Sequence, residues 1–192
     1  EAKDANGADT LKTIPMLRHF HVFNIEQCDG VELDSVTLDE LPEPERDAQC
    51  EAFVAGTGAI IHHGGSVACY RTGADDIRLP DRRAFVDAGA YYSTAFHELT
   101  HWTGPKSRYD RDLSGRFGAD AYAAEELVAE LGSAFLCQRF AVDGALQHPE
   151  YVGNWLKVLK GDTRAVFTAS SKARKAAEYL QGLAASTTEV AA

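Results

Sequence analysis

The sequence predicts an α+β fold: a small, mostly antiparallel sheet packed on a helix with a metal-binding motif, then a glutamate-bearing helix and C-terminal bracing helices. Three observations carry this. Short apolar runs broken by glycine-rich turns occupy the first half of the 192 residues, His97-Glu98-Leu99-Thr100-His101 lies within an apolar run at 91–103, and long helical patterns fill the second half.

The motif decides most about function. Residues i and i+4 of a helix share a face, so His97 and His101 can aim imidazole nitrogens at one cation. Glu98 is then left beside the metal as a general base for an attacking water, the arrangement of zinc hydrolases. With 7 histidines in the chain, about 0.02 such matches are expected by chance. Ala95, Phe96, Leu99 and Trp102 make the helix apolar nearly all round, and three polar groups buried there need a partner.

Composition sets the bounds. At 45% hydrophobic the chain can bury one sizeable core. No 18-residue apolar run exists, so no membrane span is expected, and the start has no signal-peptide pattern, which suggests a cytoplasmic domain cut from or trailing something longer. Cys28, Cys50, Cys69 and Cys137 form no CxxC pair and read as reduced thiols. The net charge of −10 is concentrated in residues 1–60, with 13 acidic and 4 basic groups, which disfavours a nucleic-acid grip by the whole surface. The basic groups Lys106/Arg108/Arg111/Arg116 and Lys157/Lys160/Arg164/Lys172/Arg174/Lys175 read as solvated faces.

In order, residues 1–16 are polar and expected to be flexible, ahead of a metal domain at 17–145. Residues 17–25 read as a strand, with His19 and His21 on one face, and 31–42 as an acidic loop. Pro44 opens a helix running through Val54. Residues 59–63, 67–71 and 76–79 read as an antiparallel meander, its last strand bordering the cleft and open to an extended substrate; His62 and His63 flank a turn. A linker over 80–89 leads to the metal helix, stopped by Gly104-Pro105. At the far end, 151–160 and 162–183 read as bracing helices, the second capped by Asp162, with Trp155, Leu156, Val166 and Phe167 on a core face and 186–192 frayed. Residues 146–185 thus brace the same domain.

Two histidines need a third ligand. Position 107 is Ser, which excludes the HExxHxxGxxH arrangement, so the best source is the helix over 122–140 with Asp120 as N-cap. It offers Glu125, Glu126 and Glu130. At 100° per residue Glu126 and Glu130 lie within about 40° of one another, beside the small Ala123, Ser133 and Cys137, while Glu125 points about 100° away. Glu126 is therefore assigned as third ligand, with Glu125 and Glu130 as alternatives, and Glu130 as acceptor for the far N–H of a ligand histidine. Arg108, Tyr109 and Tyr122 are nearby candidates for stabilising an oxyanion.

The stretches YYSTAFHELTHWTGPKSRYDRDL, AYAAEELVAELGSAFLC and NWLKVLKGDTRAVFTASSKARKAAEYL resemble the C-terminal zincin-like metallopeptidase domain of the ArdC antirestriction family, found also in plasmid primases and phage polyvalent proteins. The resemblance reaches back to RHFHVFNIEQCDG, covering most of the chain. It implies a Zn2+ metallopeptidase-like domain carried by a plasmid, phage or other mobile element, acting in the host or recipient cell. Its expected partners are a protein or peptide substrate, a restriction enzyme, or single-stranded DNA. The strands and helix before His97 use up the chain ahead of it, so the family's N-terminal single-stranded-DNA-binding domain is expected to be absent. Two classes stay open: a zinc protease with Glu98 as base, and a metal-stabilised module that protects DNA by binding alone.

Overall fold

The computed structural model describes residues 41–111, 120–143 and 164–190, together with 2–3, 9–10, 30, 155–156, 159–160 and 162. Two compact units divide at residues 35 and 36. In the first, β1 (Ala2–Lys3) pairs antiparallel with β2 (Asp9–Thr10). The second holds the rest. The expected strand over 17–25 with His19 and His21, Cys28, all but the last two residues of the loop over 31–42, Arg116 and Lys157 lie outside the described residues. So does most of the expected helix over 151–160, although Trp155 and Leu156 are helical.

The first helix starts later than Pro44 suggests. Asp47 accepts the Cys50 amide at 2.7 Å, so α1 runs Ala48–Gly56 with Asp47 as its cap. Gly56 is required by packing: a Cβ there would come within 2.8 Å of the Ala184 Cα on the last helix.

The sheet departs from the expected meander. β3 (Ile60–His63) pairs parallel with β5 (Asp76–Leu79), while β4 (Cys69–Arg71) pairs antiparallel with it, giving the order β3-β5-β4. The chain leaves β3 through Gly64 and Gly65, whose φ values of 130° and 74° few other residues adopt. The Gly64 amide donates to the Leu79 carbonyl at 2.9 Å, latching the end of β3 onto β5. β4 and β5 do form a hairpin, with Asp75 at φ 53° in its turn. Because both edges of β5 are hydrogen-bonded, an extended substrate cannot add to it as expected. Within the described sheet the open edges belong to β3 and β4; β4 packs along the metal-motif helix, and His63 of β3 stacks on its Tyr91.

That helix, α2 (Ala88–Trp102), begins where Asp87 accepts the Ala90 amide at 2.7 Å. Tyr91 through Thr100 are all buried, as the apolar run requires. A short 3-10 turn (Arg82–Ala84) precedes it within the expected linker. α3 (Asp120–Phe140) and α4 (Ala165–Val190) follow, and Asp162 accepts the Arg164 amide at 2.8 Å just ahead of α4. α4 continues beyond residue 183 into the stretch expected to fray.

The core joins these pieces. Phe53 of α1, Ile77 and Leu79 of β5, Tyr92, Phe96 and Leu99 of α2, Leu136 of α3 and Leu180 of α4 form one buried cluster. A second one joins Ala123, Leu127 and Val128 of α3 with Trp155 and with Ala169 and Ala173 of α4. Trp155 is buried as expected, but Leu156 and Phe167 are exposed, as is Phe135 of α3. Cys50, Cys69 and Cys137 are free thiols. No helix among the described residues is long and apolar enough to cross a membrane.

Candidate metal centre

α2 and α3 lie side by side, and two small contacts set how close they come. A Cβ on Gly132 would meet Thr100 Oγ1 at 2.5 Å, and Ser133 donates to the Ser93 carbonyl at 2.7 Å. This proximity brings the carboxylates of α3 onto the histidines of α2. His97 Nε2 and His101 Nε2 stand 3.1 Å apart. The Glu126 oxygens lie 3.4 Å from the first and 3.6 Å from the second. One ligand atom from each of these three residues falls within 4.8 Å of the others.

The outer nitrogens face carboxylates as well. His101 Nδ1 lies 3.1 Å from Glu125 Oε1, and His97 Nδ1 lies 3.6 Å from Glu130 Oε1. An ionised carboxylate only accepts, so His101 keeps a hydrogen on Nδ1 toward Glu125, and the neutral form that a cation requires has its Nε2 lone pair toward the middle of the cluster. Two lone pairs and a carboxylate converging at a site only 1–7% exposed at His97, Glu126 and Glu130 are the donor set that a divalent cation satisfies. Glu98, the next residue on α2, is 4% exposed.

The electrostatics follow from the same contacts. Burial works against a charged His101, yet its hydrogen bonds to Glu125 and Glu126 and the charge of Glu98 outweigh it and push the metal-free imidazole up to about 10. Burial would raise Glu126, but the two histidines hold it far below the usual carboxylate range. Glu125 is likewise held low against its burial, by His101 and by Arg111. Burial raises the Cys69 thiol on β4, and the charge of Glu98 raises it further, which places that strand within electrostatic reach of the motif.

The expected residues are thus placed as follows. His97, His101 and Glu126 come together, Glu98 is buried beside them, and Glu130 faces the outer nitrogen of His97. Helix rotation alone set Glu125 aside, and it overlooked that an imidazole has two nitrogens at different azimuths. A count would have found it: one cation and two outer N–H groups call for three carboxylates, and α3 supplies three. Arg111 was also missed. Its guanidinium donates to Glu125 at 2.9 and 3.0 Å, to the Thr100 carbonyl at 2.6 Å and to Thr103 Oγ1 at 2.7 Å.

Among the described residues, the histidines outside the motif have other partners. His62 lies 3.4 Å from Asp76, and His63 Nε2 lies 2.9 Å from the Tyr91 hydroxyl. Of the oxyanion candidates, Arg108 is committed elsewhere: it stacks 4.0 Å from the Trp102 ring centroid and binds Asp75, the Tyr70 hydroxyl and the Trp102 carbonyl. Tyr109 packs edge-on to Tyr179 and is partly exposed. The Tyr122 side chain lies outside the described residues.

The zincin-like metallopeptidase family model matches residues 48–172, a span that holds the sheet, α2 and α3. The chain belongs to the zincin-like metallopeptidase family. This zincin-like domain is 42% identical over 186 residues to the uncharacterized protein y4eC of Sinorhizobium fredii, matching 94% of the chain and 60% of that protein. It is 40% identical over 190 residues to a DNA primase TraC of Escherichia coli, covering 92% of the chain but 17% of the primase. Among solved structures it matches the Mn(II)-bound antirestriction protein ArdC of plasmid R388, at 39% identity and a TM-score of 0.67 over 85% of the chain and 61% of that protein. A metal-free form of the same protein matches at the same TM-score. The chain therefore spans less than two thirds of the length of each of these relatives.

Proposed function

We propose that the zincin-like domain is a zinc-dependent peptidase in which His97, His101 and Glu126 hold the cation and Glu98 is the general base. The observation that carries this reading is the convergence of both Nε2 atoms, 3.1 Å apart, with the two Glu126 oxygens beside a buried Glu98. A bound divalent cation would polarise a substrate carbonyl and acidify water. Glu98 takes the proton from the attacking water and passes it to the leaving amine. Glu130 and Glu125 hold the two imidazoles in their orientations from behind. The β4 edge, which packs on α2, is the place where an extended peptide gains main-chain hydrogen bonds.

The relatives' names speak of antirestriction and of priming, and none speaks of proteolysis. That favours keeping a second reading: a metal-stabilised module from a mobile element that protects DNA in the host cytoplasm by binding a restriction enzyme or single-stranded DNA. Glu98→Gln separates the two. In the peptidase reading it keeps bound metal and fold, while hydrolysis falls by about 10²-fold or more and protection falls with it. A Glu98→Gln protein that protects DNA from restriction as well as the wild type would assign that role to binding and withdraw the peptidase reading for it. Proteomic comparison of cells expressing the two proteins would identify the substrate.

A further inference from the structure

We propose that Arg111 is a positioning residue for the metal centre, acting through Glu125 on His101, so that the segment after α2 sets how tightly the cation is held. The inference rests on the metal reading above. Its basis is the way one guanidinium is spent. Nε and Nη2 of Arg111 form a fork on the Glu125 carboxylate at 3.0 and 2.9 Å. Nη2 also reaches the Thr100 carbonyl at 2.6 Å, and Nη1 reaches Thr103 Oγ1 at 2.7 Å.

Thr100 sits in the last turn of α2, where its carbonyl accepts from the Thr103 amide at 3.2 Å and the Thr103 hydroxyl at 2.7 Å in place of a residue four positions on, and Thr103 caps that turn. Arg111 therefore binds the end of the helix that carries both histidines and, with the same planar group, the α3 carboxylate that receives the His101 Nδ1 hydrogen at 3.1 Å. Its side chain is 5% exposed and that of Glu125 is 9% exposed, so water is a poor substitute for either partner. The Arg111 amide in turn donates to the Gly104 carbonyl at 2.7 Å, closing the segment on itself just past the helix.

Without the guanidinium, Glu125 is a buried carboxylate with one partner in place of two, free to swing from His101. The imidazole then loses the acceptor that fixes its tautomer and ring plane, and its Nε2 is presented in several orientations. Arg111→Lys would retain the charge but lose the fork, since an ammonium is a point donor on a flexible stem.

The test uses the whole chain with Zn(II) or Mn(II) alone, so no substrate is required. Dissociation constants by competition titration, the Co(II) absorption spectrum and metal-free melting temperature are measured for wild type, Arg111→Ala, Arg111→Lys, Glu125→Gln, Glu126→Ala and His97→Ala. The expected result is a metal affinity weaker by about 10–100-fold for Arg111→Ala and Glu125→Gln, a smaller loss for Arg111→Lys, and an altered Co(II) spectrum in all three. A lowered metal-free melting temperature with unchanged affinity and spectrum would make Arg111 a structural clamp only, and would overturn the proposal. If Arg111→Ala does not fold, Arg111→Lys and Glu125→Gln decide by the same criterion. Glu126→Ala and His97→Ala guard the underlying reading: undiminished affinity in both would remove the metal centre itself, and the proposal with it.

Discussion

Gly132 of α3 faces Thr100 of α2 so closely that a Cβ on the glycine would lie 2.5 Å from Thr100 Oγ1 and 2.6 Å from its Cγ2. The threonine cannot yield. It is fully buried, β-branched, and held by its hydroxyl to the Phe96 carbonyl at 2.8 Å. Gly132→Ala should therefore push the two helices apart, at a cost of about 1–3 kcal/mol from overpacking, partly offset by the better helix propensity of alanine. Because His97 and His101 ride on one helix and Glu126 on the other, metal affinity should fall along with stability. Denaturant melts and a metal titration of Gly132→Ala check both, and an alanine variant as stable and as tight-binding as wild type would refute the account.

Gly132 also marks where the sequence ceased to be legible. The HExxH spacing, the apolar α2 and the three glutamates of α3 are local patterns with fixed helical geometry, and they point to the cluster that the structure assembles. Strand pairing is not local. Nothing in the spacing of the three short runs distinguishes a meander from the order β3-β5-β4, in which β3 pairs with a strand two runs away and the Gly64 amide bonds to the Leu79 carbonyl. Arg111 was illegible for a similar reason. It reads as one of a row of surface cations after α2, and only the approach of α3 makes it the partner of Glu125. Phe167 shows the converse, since helical spacing put it on a core face that α4 fills with alanines.

A polar cluster away from the metal centre carries a pH dependence. Glu51 of α1 accepts from the Tyr92 hydroxyl at 2.6 Å and from Arg82 at 2.7 and 3.0 Å. Burial alone would raise its carboxyl, but these partners hold it below the ordinary value. A carboxylate whose folded value is depressed adds stability above the unfolded value, and that stability is lost as pH falls through the folded one. Glu51→Gln should thus be less stable than wild type at neutral pH, with the two converging in acid. Melting temperatures from about pH 7 down to about pH 3 test this, and a constant gap across that range would contradict it.

Arg108 offers a contrast between charge and packing. Its partner Asp75 is 54% exposed while Arg108 itself is 9% exposed, so the solvated ion pair is worth under about 1 kcal/mol. The buried share of the interaction is the stack on Trp102 and the bond to the Trp102 carbonyl. Asp75→Asn, which keeps an acceptor and tolerates the positive φ, should cost less than about 1 kcal/mol. Arg108→Ala should cost about 1–3 kcal/mol by exposing the ring and stranding the carbonyl. Equal losses for the two variants would return the weight to the ion pair.

The metal itself should be visible in stability. A cation that binds the folded chain alone adds RT ln(1 + [L]/Kd), about 2.7 kcal/mol at a hundredfold excess over Kd. For a chain of this size each kcal/mol raises the melting temperature by roughly 2–4 °C, so Zn(II) or Mn(II) should raise it by roughly 5–10 °C. His97→Ala should abolish that shift, because the remaining His101 and Glu126 form an incomplete set of donors. The same variant should also lower the metal-free melting temperature. It leaves a cavity in place of a side chain 1% exposed and takes an imidazole from between Glu126 and Glu130, bringing two buried carboxylates into each other's field. Glu98→Gln should keep the full metal-induced shift, since the residue beside the cluster is assigned to proton transfer and not to holding the cation. A Glu98→Gln protein that lost the shift while His97→Ala retained it would exchange the roles of those neighbours.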